Sequence, residues 1–192
     1  MARPREFDRA DALNKAMAVF WMKGYAATST ADLLQAMQIG RQSMYDTFGG
    51  KHALYLETLR HYGATSVGEL LRSLQGETAL DGLANMLYTF AARPAGDKEK
   101  GCMGVNAICE FGQSDADVNA ARDASGELLC KAIGRVLCDA VAEGEMAAGS
   151  DIAQAAAFVA ATLSGMKVSA KAGATPETLR AIAAMAVKAL RK

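Results

Sequence analysis

Residues 24–54 read GYAATSTADLLQAMQIGRQSMYDTFGGKHAL, and the breaks in this stretch decide the fold. Gly24 stops a helical pattern over 11–23, in which Leu13, Ala16, Met17 and Phe20 recur at i, i+3, i+4 and i+7. Thr28-Ser29-Thr30-Ala31-Asp32 opens the next helix. With Ser29 as N-cap, Asp32 stands three residues on, an aspartate variant of the capping box. This short helix carries Leu33, Leu34 and Met37, and Gln38-Ile39-Gly40 breaks it. A second short helix over 41–48 turns Met44 and Phe48 inward and ends at Gly49-Gly50. From Lys51 a longer helix is expected to run to about residue 74. Two short helices joined by a tight glycine-containing turn predict a three-helix unit of helix-turn-helix type.

Composition agrees with helices throughout. The chain has 192 residues, and 51% of them are hydrophobic. Alanine supplies 40 residues, whereas valine and isoleucine together supply 14. Alanine is the best helix former and β-branched residues favour strands, so an all-α fold is expected. Beyond residue 74, helical patterns cover 79–92, 102–112, 117–143, 152–171 and 177–190, which makes about nine helices. Gly173-Ala174-Thr175-Pro176 marks the last break, with Thr175 capping and Pro176 at the first helical position.

Several classes of function are disfavoured. The first eleven residues are charged and do not read as a signal peptide. The longest uncharged helical stretch, 152–166, is shorter than the roughly 20 apolar residues of a membrane span, so a cytoplasmic protein with no membrane partner is expected. Cys102 and Cys109 lie seven apart and Cys130 and Cys138 eight apart, too far for a disulfide within one helix. With only His52 and His61 beside them, no metal cluster can be written. No Gly-rich cofactor loop or acid pair accompanies a cysteine, so neither an enzyme nor a cofactor is expected.

The helix over 41–48 has the residue types that read DNA. Arg pairs bidentately with guanine and Gln with adenine when they stand on the first turns of a helix in the major groove, the positions of Arg41, Gln42 and Ser43. Tyr45, Lys51 and the hydroxyls of Thr28, Ser29 and Thr30 suit phosphate oxygens, which position a protein without reading sequence. Arg3-Pro4-Arg5 is a further candidate for a phosphate or the minor groove. The same pattern also fits an ordinary small helical turn in a core, and the residues alone leave both readings open.

The spacing Gly24-Tyr25-x-x-Thr28-Ser29-x-x-Asp32-Leu33, then Ile39-x-x-x-x-Met44-Tyr45-x-x-Phe48-x-x-Lys51-x-x-Leu54, resembles the N-terminal signature of the TetR family of transcriptional regulators. The likeness covers about residues 9–56, and the rest resembles the family in helix number and length. It implies a DNA-binding domain at 1–55 and a ligand-sensing and dimerisation domain at 56–192. It also implies a homodimer on double-stranded, pseudo-palindromic operator DNA, most often a repressor, answering to a small-molecule effector of unknown identity. It places Arg41, Gln42 and Ser43 on the recognition helix, and Tyr45 and Lys51 at the DNA backbone. Gly40 departs from the Ser or Thr cap that members often carry. Asp46 would repel a phosphate unless it points away or accepts from a cytosine amino group.

Charge splits along the same line. Residues 1–63 hold eight Lys/Arg and six Asp/Glu, so the basic excess lies in the reading unit although the whole chain is neutral. In the body, Cys102 is a candidate redox sensor: near a helix start and beside Lys98 and Lys100, its thiol pKa should fall. By the resemblance, the helix over 102–112 and its neighbours line the effector cavity. Asn106 and Glu110 are then its candidate polar groups, and Met86, Tyr88, Phe90 and Met103 its walls. The helices over 152–171 and 177–190 are apolar or small-residue-rich on faces suited to a partner subunit. The alternative to a regulator is a helical ligand carrier or protein-interaction module without specific DNA binding.

Overall fold

The computed structural model describes residues 7–93, 96 and 100–192. Among them nine helices occur: α1 (Arg9–Lys23), α2 (Thr30–Met37), α3 (Arg41–Phe48), α4 (Lys51–Arg72), α5 (Ala79–Ala91), α6 (Met103–Phe111), α7 (Ala116–Ala142), α8 (Ile152–Lys171) and α9 (Pro176–Leu190). The all-α expectation therefore holds, with boundaries shifted by a residue or two. Helix α1 begins earlier than expected because Asp8 caps it, accepting from the amides of Ala10 and Asp11. Ser29 and Asp32 form the complete capping box, each side chain accepting from the other's backbone N–H. Thr175 caps α9, and Pro176 occupies its first turn. Arg3, Pro4, Arg5, Lys98 and Glu99 lie outside the described residues.

Two hydrophobic cores organise the chain. The first gathers Ala16 and Phe20 of α1, Leu33 and Met37 of α2, Met44 and Phe48 of α3, and Leu54, Tyr55 and Leu59 of α4. It does not stop at residue 55: Tyr62 of α4, Cys102, Met103 and Ala107 at α6, and Val118 and Ala121 of α7 belong to it. The second core packs Leu80, Leu83, Met86, Leu87 and Phe90 of α5 against Ile133 and Leu137 of α7, Val159, Leu163 and Met166 of α8, and Leu179 and Ala183 of α9. Helix α4 packs on α1 in the first core and on α7 in the second, so it is the shaft joining them.

One expectation needs correction. Helix α8 has 20 residues and is, by length and composition, apolar enough to cross a membrane. The short uncharged stretch understated it, because Lys167 enters only in the last turns. One side of it is covered by the second core, and Ala157, Phe158, Ala161, Gly165 and Val168 stay exposed along the rest.

Candidate nucleic-acid interface

The turn between α2 and α3 is made by Gln38, held in the left-handed region at φ 58°, followed by Ile39 and Gly40. Asn, Asp and Gly adopt this conformation more readily than Gln, so the neighbouring packing must hold it. Met44 and Phe48 bury the inner face of α3, which leaves Arg41, Gln42, Tyr45 and Asp46 exposed and Ser43 half-buried. The Gln42 amide donates to the Asp46 carboxylate at 2.8 Å, so Asp46 is engaged with a neighbour on its own helix. Arg9 braces the unit from behind, with its guanidinium forked onto Glu57 at 2.6 and 2.8 Å and lying over the Phe48 ring.

Lys51 opens α4, and its ammonium lies 4.2 Å from the centre of the Tyr25 ring. Neither α3 nor α4 has a side-chain cap, since Gly40 and Gly50 precede them. Their first amide groups are therefore donors without helical partners, a ready site for phosphate oxygens. These backbone donors add to the side chains expected from the sequence, in which Gly40 and Gly50 are their signal.

Two expected phosphate ligands are otherwise occupied. Thr28 is buried and its hydroxyl donates to the Gly24 carbonyl, closing the turn after α1. The Ser29 hydroxyl donates to Asp32 at 2.8 Å and accepts from its amide. Both act on the architecture of the reading unit. Thr30 is half-exposed at the start of α2. Lys23 donates to Asp32 at 2.8 Å, and with Ser29 it holds that carboxyl well below the usual range.

The expected ligand residues of the body divide. Met86 and Phe90 are buried in the second core and Tyr88 is half-buried against it, while Met103 is buried in the first. They are packing residues in this structure. Glu110 is also not free to orient a ligand: its carboxylate accepts from the amides of Tyr25, at 2.8 Å, and Ala26, at 2.9 Å. It thereby clamps α6 to the turn after α1. Gly24, at φ 78°, makes this possible, because a Cβ there would collide with the Glu110 carboxylate. Phe111 lies beside it, tilted against Tyr25 with ring centres 5.2 Å apart and stacked on Tyr55 at 5.6 Å. On the same seam His52 meets Asp115 at 2.8 Å. Asp115 also caps α7, and the Val118 amide, with His52, lowers its pKa.

Above this seam lies a cleft of about 440 Å³, bounded by the end of α1, by α6 and by the end of α8. A second cavity of about 240 Å³ opens among α4, α6, α7 and α8. Cys102, Val105 and Lys167 belong to both walls. Cys102 is the N-cap of α6 and is buried, whereas Cys109, Cys130 and Cys138 are exposed. Burial pushes the Cys102 thiol up, but the Lys167 ammonium, the amides of Val105 and Gly104 and the Tyr62 hydroxyl outweigh it, and the net shift is downward. Among the described residues the cation that lowers it is Lys167, from an element distant in sequence. Asn106 spans the mouth, donating to the Lys100 carbonyl at 3.2 Å and accepting from Lys171 at 2.8 Å.

Comparison with known proteins fits this architecture. Residues 12–58 match the model for bacterial regulatory proteins of the tetR family, and residues 76–186 match a tetracyclin repressor-like C-terminal domain. The HTH-type transcriptional repressor ComR of Escherichia coli (strain K12) is 30% identical over 188 residues, covering 94% of this chain and 88% of its own. A cysteine mutant of the TetR family regulator CifR, solved with 26 bp of double-strand operator DNA, superposes with a TM-score of 0.82 at 32% identity, over 98% of this chain and 100% of that one. The reduced form of Escherichia coli NemR, at 19% identity and a TM-score of 0.83 over 96% of this chain and 97% of its own, shares the fold. Helix-turn-helix, shaft and helical body thus match from one end of the chain to the other, and the protein belongs to the TetR family of bacterial transcriptional regulators.

Proposed function

We propose that the protein is a homodimeric transcriptional repressor that leaves its operator when a small molecule binds the body or when Cys102 is modified. The observation that carries the reading is α3: its inner face is locked into a core by Met44 and Phe48, while its outer face offers Arg41, Gln42 and Tyr45 to a groove. Residues 1–55 form the reading head and residues 56–192 the sensing and dimerisation body. The first core crosses that line through Tyr62 and α6, and this continuity gives the body a physical grip on the head. The function needs no catalytic group, and a bacterial DNA-binding regulator acts in the cytoplasm. ComR is a repressor and CifR binds operator DNA, which supports the same role here.

Arg41 and Gln42 read bases, and Tyr45, Lys51 and the open N-termini of α3 and α4 hold phosphates. Selection of bound fragments from genomic DNA, followed by salt-titrated binding, tests the reading. Tyr45→Ala and Lys51→Ala should weaken binding to all sequences, and Lys51→Ala should reduce the salt slope by about one. Arg41→Ala and Gln42→Ala should relax preference at single base pairs, at about 1–3 kcal/mol each. Retention of no fragment above random DNA would leave the carrier or interaction-module reading standing in its place.

A further inference from the structure

The cleft at the seam carries a charge imbalance that modification of Cys102 does not require. Among the described residues, four charged side chains reach it: Lys23, Glu110, Lys167 and Lys171. Lys23 is paired with Asp32, and Glu110 is engaged by the amides of Tyr25 and Ala26. Among the described residues, Lys171 meets only the neutral carboxamide of Asn106, and Lys167 has no hydrogen bond or ion pair. The two lysines stand one turn apart on α8, which places them on one face with Cβ atoms about 5–6 Å apart. Like charges at that spacing oppose the helix unless an anion lies between them. The Cys102 thiol faces Lys167 and leaves Lys171 without a counter-charge. Trp21 and Met22 of α1 and Val105 of α6 make the facing walls apolar, and Val168 adds apolar surface beside the lysines on α8. Trp21 is held in place by its indole N–H, which donates to the Gly101 carbonyl at 3.0 Å.

We infer that this cleft binds an amphipathic organic anion, a carboxylate bridging Lys167 and Lys171 with its apolar body against Trp21, Val105 and Val168. The volume lies within the range of small-molecule sites, about 300–1,000 Å³. A ligand there touches the end of α1, α6 and α8 together, and so bears on the Glu110 clamp. Its role as the effector rests on the regulator reading given above; its binding does not.

Trp21 is the single tryptophan of the chain, so its fluorescence reports on the cleft. Titration of the intact protein with octanoate should give a saturable change in emission, and octanol, of equal chain length and no charge, should bind at least about tenfold more weakly. Lys167→Met with Lys171→Met should lose octanoate binding, while Lys167→Arg with Lys171→Arg should keep most of it and control for folding. Arg93→Met should leave binding unchanged, although Arg93 lines a neighbouring cavity that also touches Trp21. No saturable response at millimolar octanoate, equal binding of octanol, retention by the methionine pair, or loss in Arg93→Met would each overturn the site. Operator binding with and without octanoate separates the two readings. Lysine-dependent octanoate binding that leaves operator affinity unchanged would overturn the effector role while the site stands. Failure of the unliganded protein to bind any operator would overturn the regulator reading, again without touching the site.

Discussion

Gln42 and Asp46 stand one turn apart on α3, and the hydrogen bond between them restricts the carboxamide before DNA arrives. With one N–H given to Asp46, Gln42 retains its oxygen and its second N–H, the acceptor and donor that adenine requires. Asp46→Ala should therefore cut discrimination at that base pair about tenfold or more, and should tighten non-specific binding by removing a charge that repels phosphate. Binding to single-base operator variants at fixed salt measures both, and unchanged discrimination would mean that Asp46 does not position Gln42. At Cys102 the opposing influences are burial and Lys167. Lys167→Met leaves burial in place and removes the cation, so the thiol pKa should rise and the pH profile of iodoacetamide alkylation should move to higher pH. Peptide mass spectrometry separates Cys102 from the three exposed cysteines. An unmoved profile would remove Lys167 from the activation of the thiol.

At the level of elements, α6 has the decisive position. Cys102 is its N-cap and its last turn carries Glu110 and Phe111, so one helix of nine residues runs from the cleft at Cys102 to the helix-turn-helix unit. Glu110 contacts Tyr25, whose ring contacts Lys51, so a displacement of α6 has a continuous route to Lys51. Glu110→Ala removes the clamp while the Phe111 stacking remains. The amides of Tyr25 and Ala26 are exposed enough for water to replace the carboxylate, so the cost should be about 1 kcal/mol, or about 2–4 °C in Tm. Operator affinity should survive, and its response to alkylation of Cys102 should weaken severalfold. A full response in Glu110→Ala would show that coupling runs through α4 alone. The clamp could not be read from the sequence, because Glu110 and Tyr25 are 85 residues apart and no local pattern joins them. The capping box and both short helices were legible because their determinants lie within three or four residues of one another.

For the whole molecule, the same distinction explains what composition revealed and what it concealed. The all-α fold and the helix-turn-helix followed from local spacing, whereas the burial of Met86 and Phe90 in the second core did not, because helical periodicity cannot distinguish a core wall from a cavity wall. The neutral total charge hid a basic head, and it also hid Lys167 and Lys171 among apolar neighbours on α8. That helix is apolar nearly all round: one side is buried in the second core, and the other leaves Phe158 at 44% exposure. Met185 of α9 is 64% exposed. We propose that these faces meet in the dimer, with Ala157, Ala161 and Gly165 small enough for close helix approach. Ala161→Arg and Met185→Glu place charges where a single chain has only solvent, so each should change the stability of the monomer by no more than about 0.5 kcal/mol. The dimer should instead dissociate, as sedimentation would show. Operator binding needs two recognition helices about 34–36 Å apart, so affinity for a two-half-site operator should collapse while the weak affinity for one half-site is kept. Dimers that persist in both variants, with operator affinity intact, would place the subunit interface on another face.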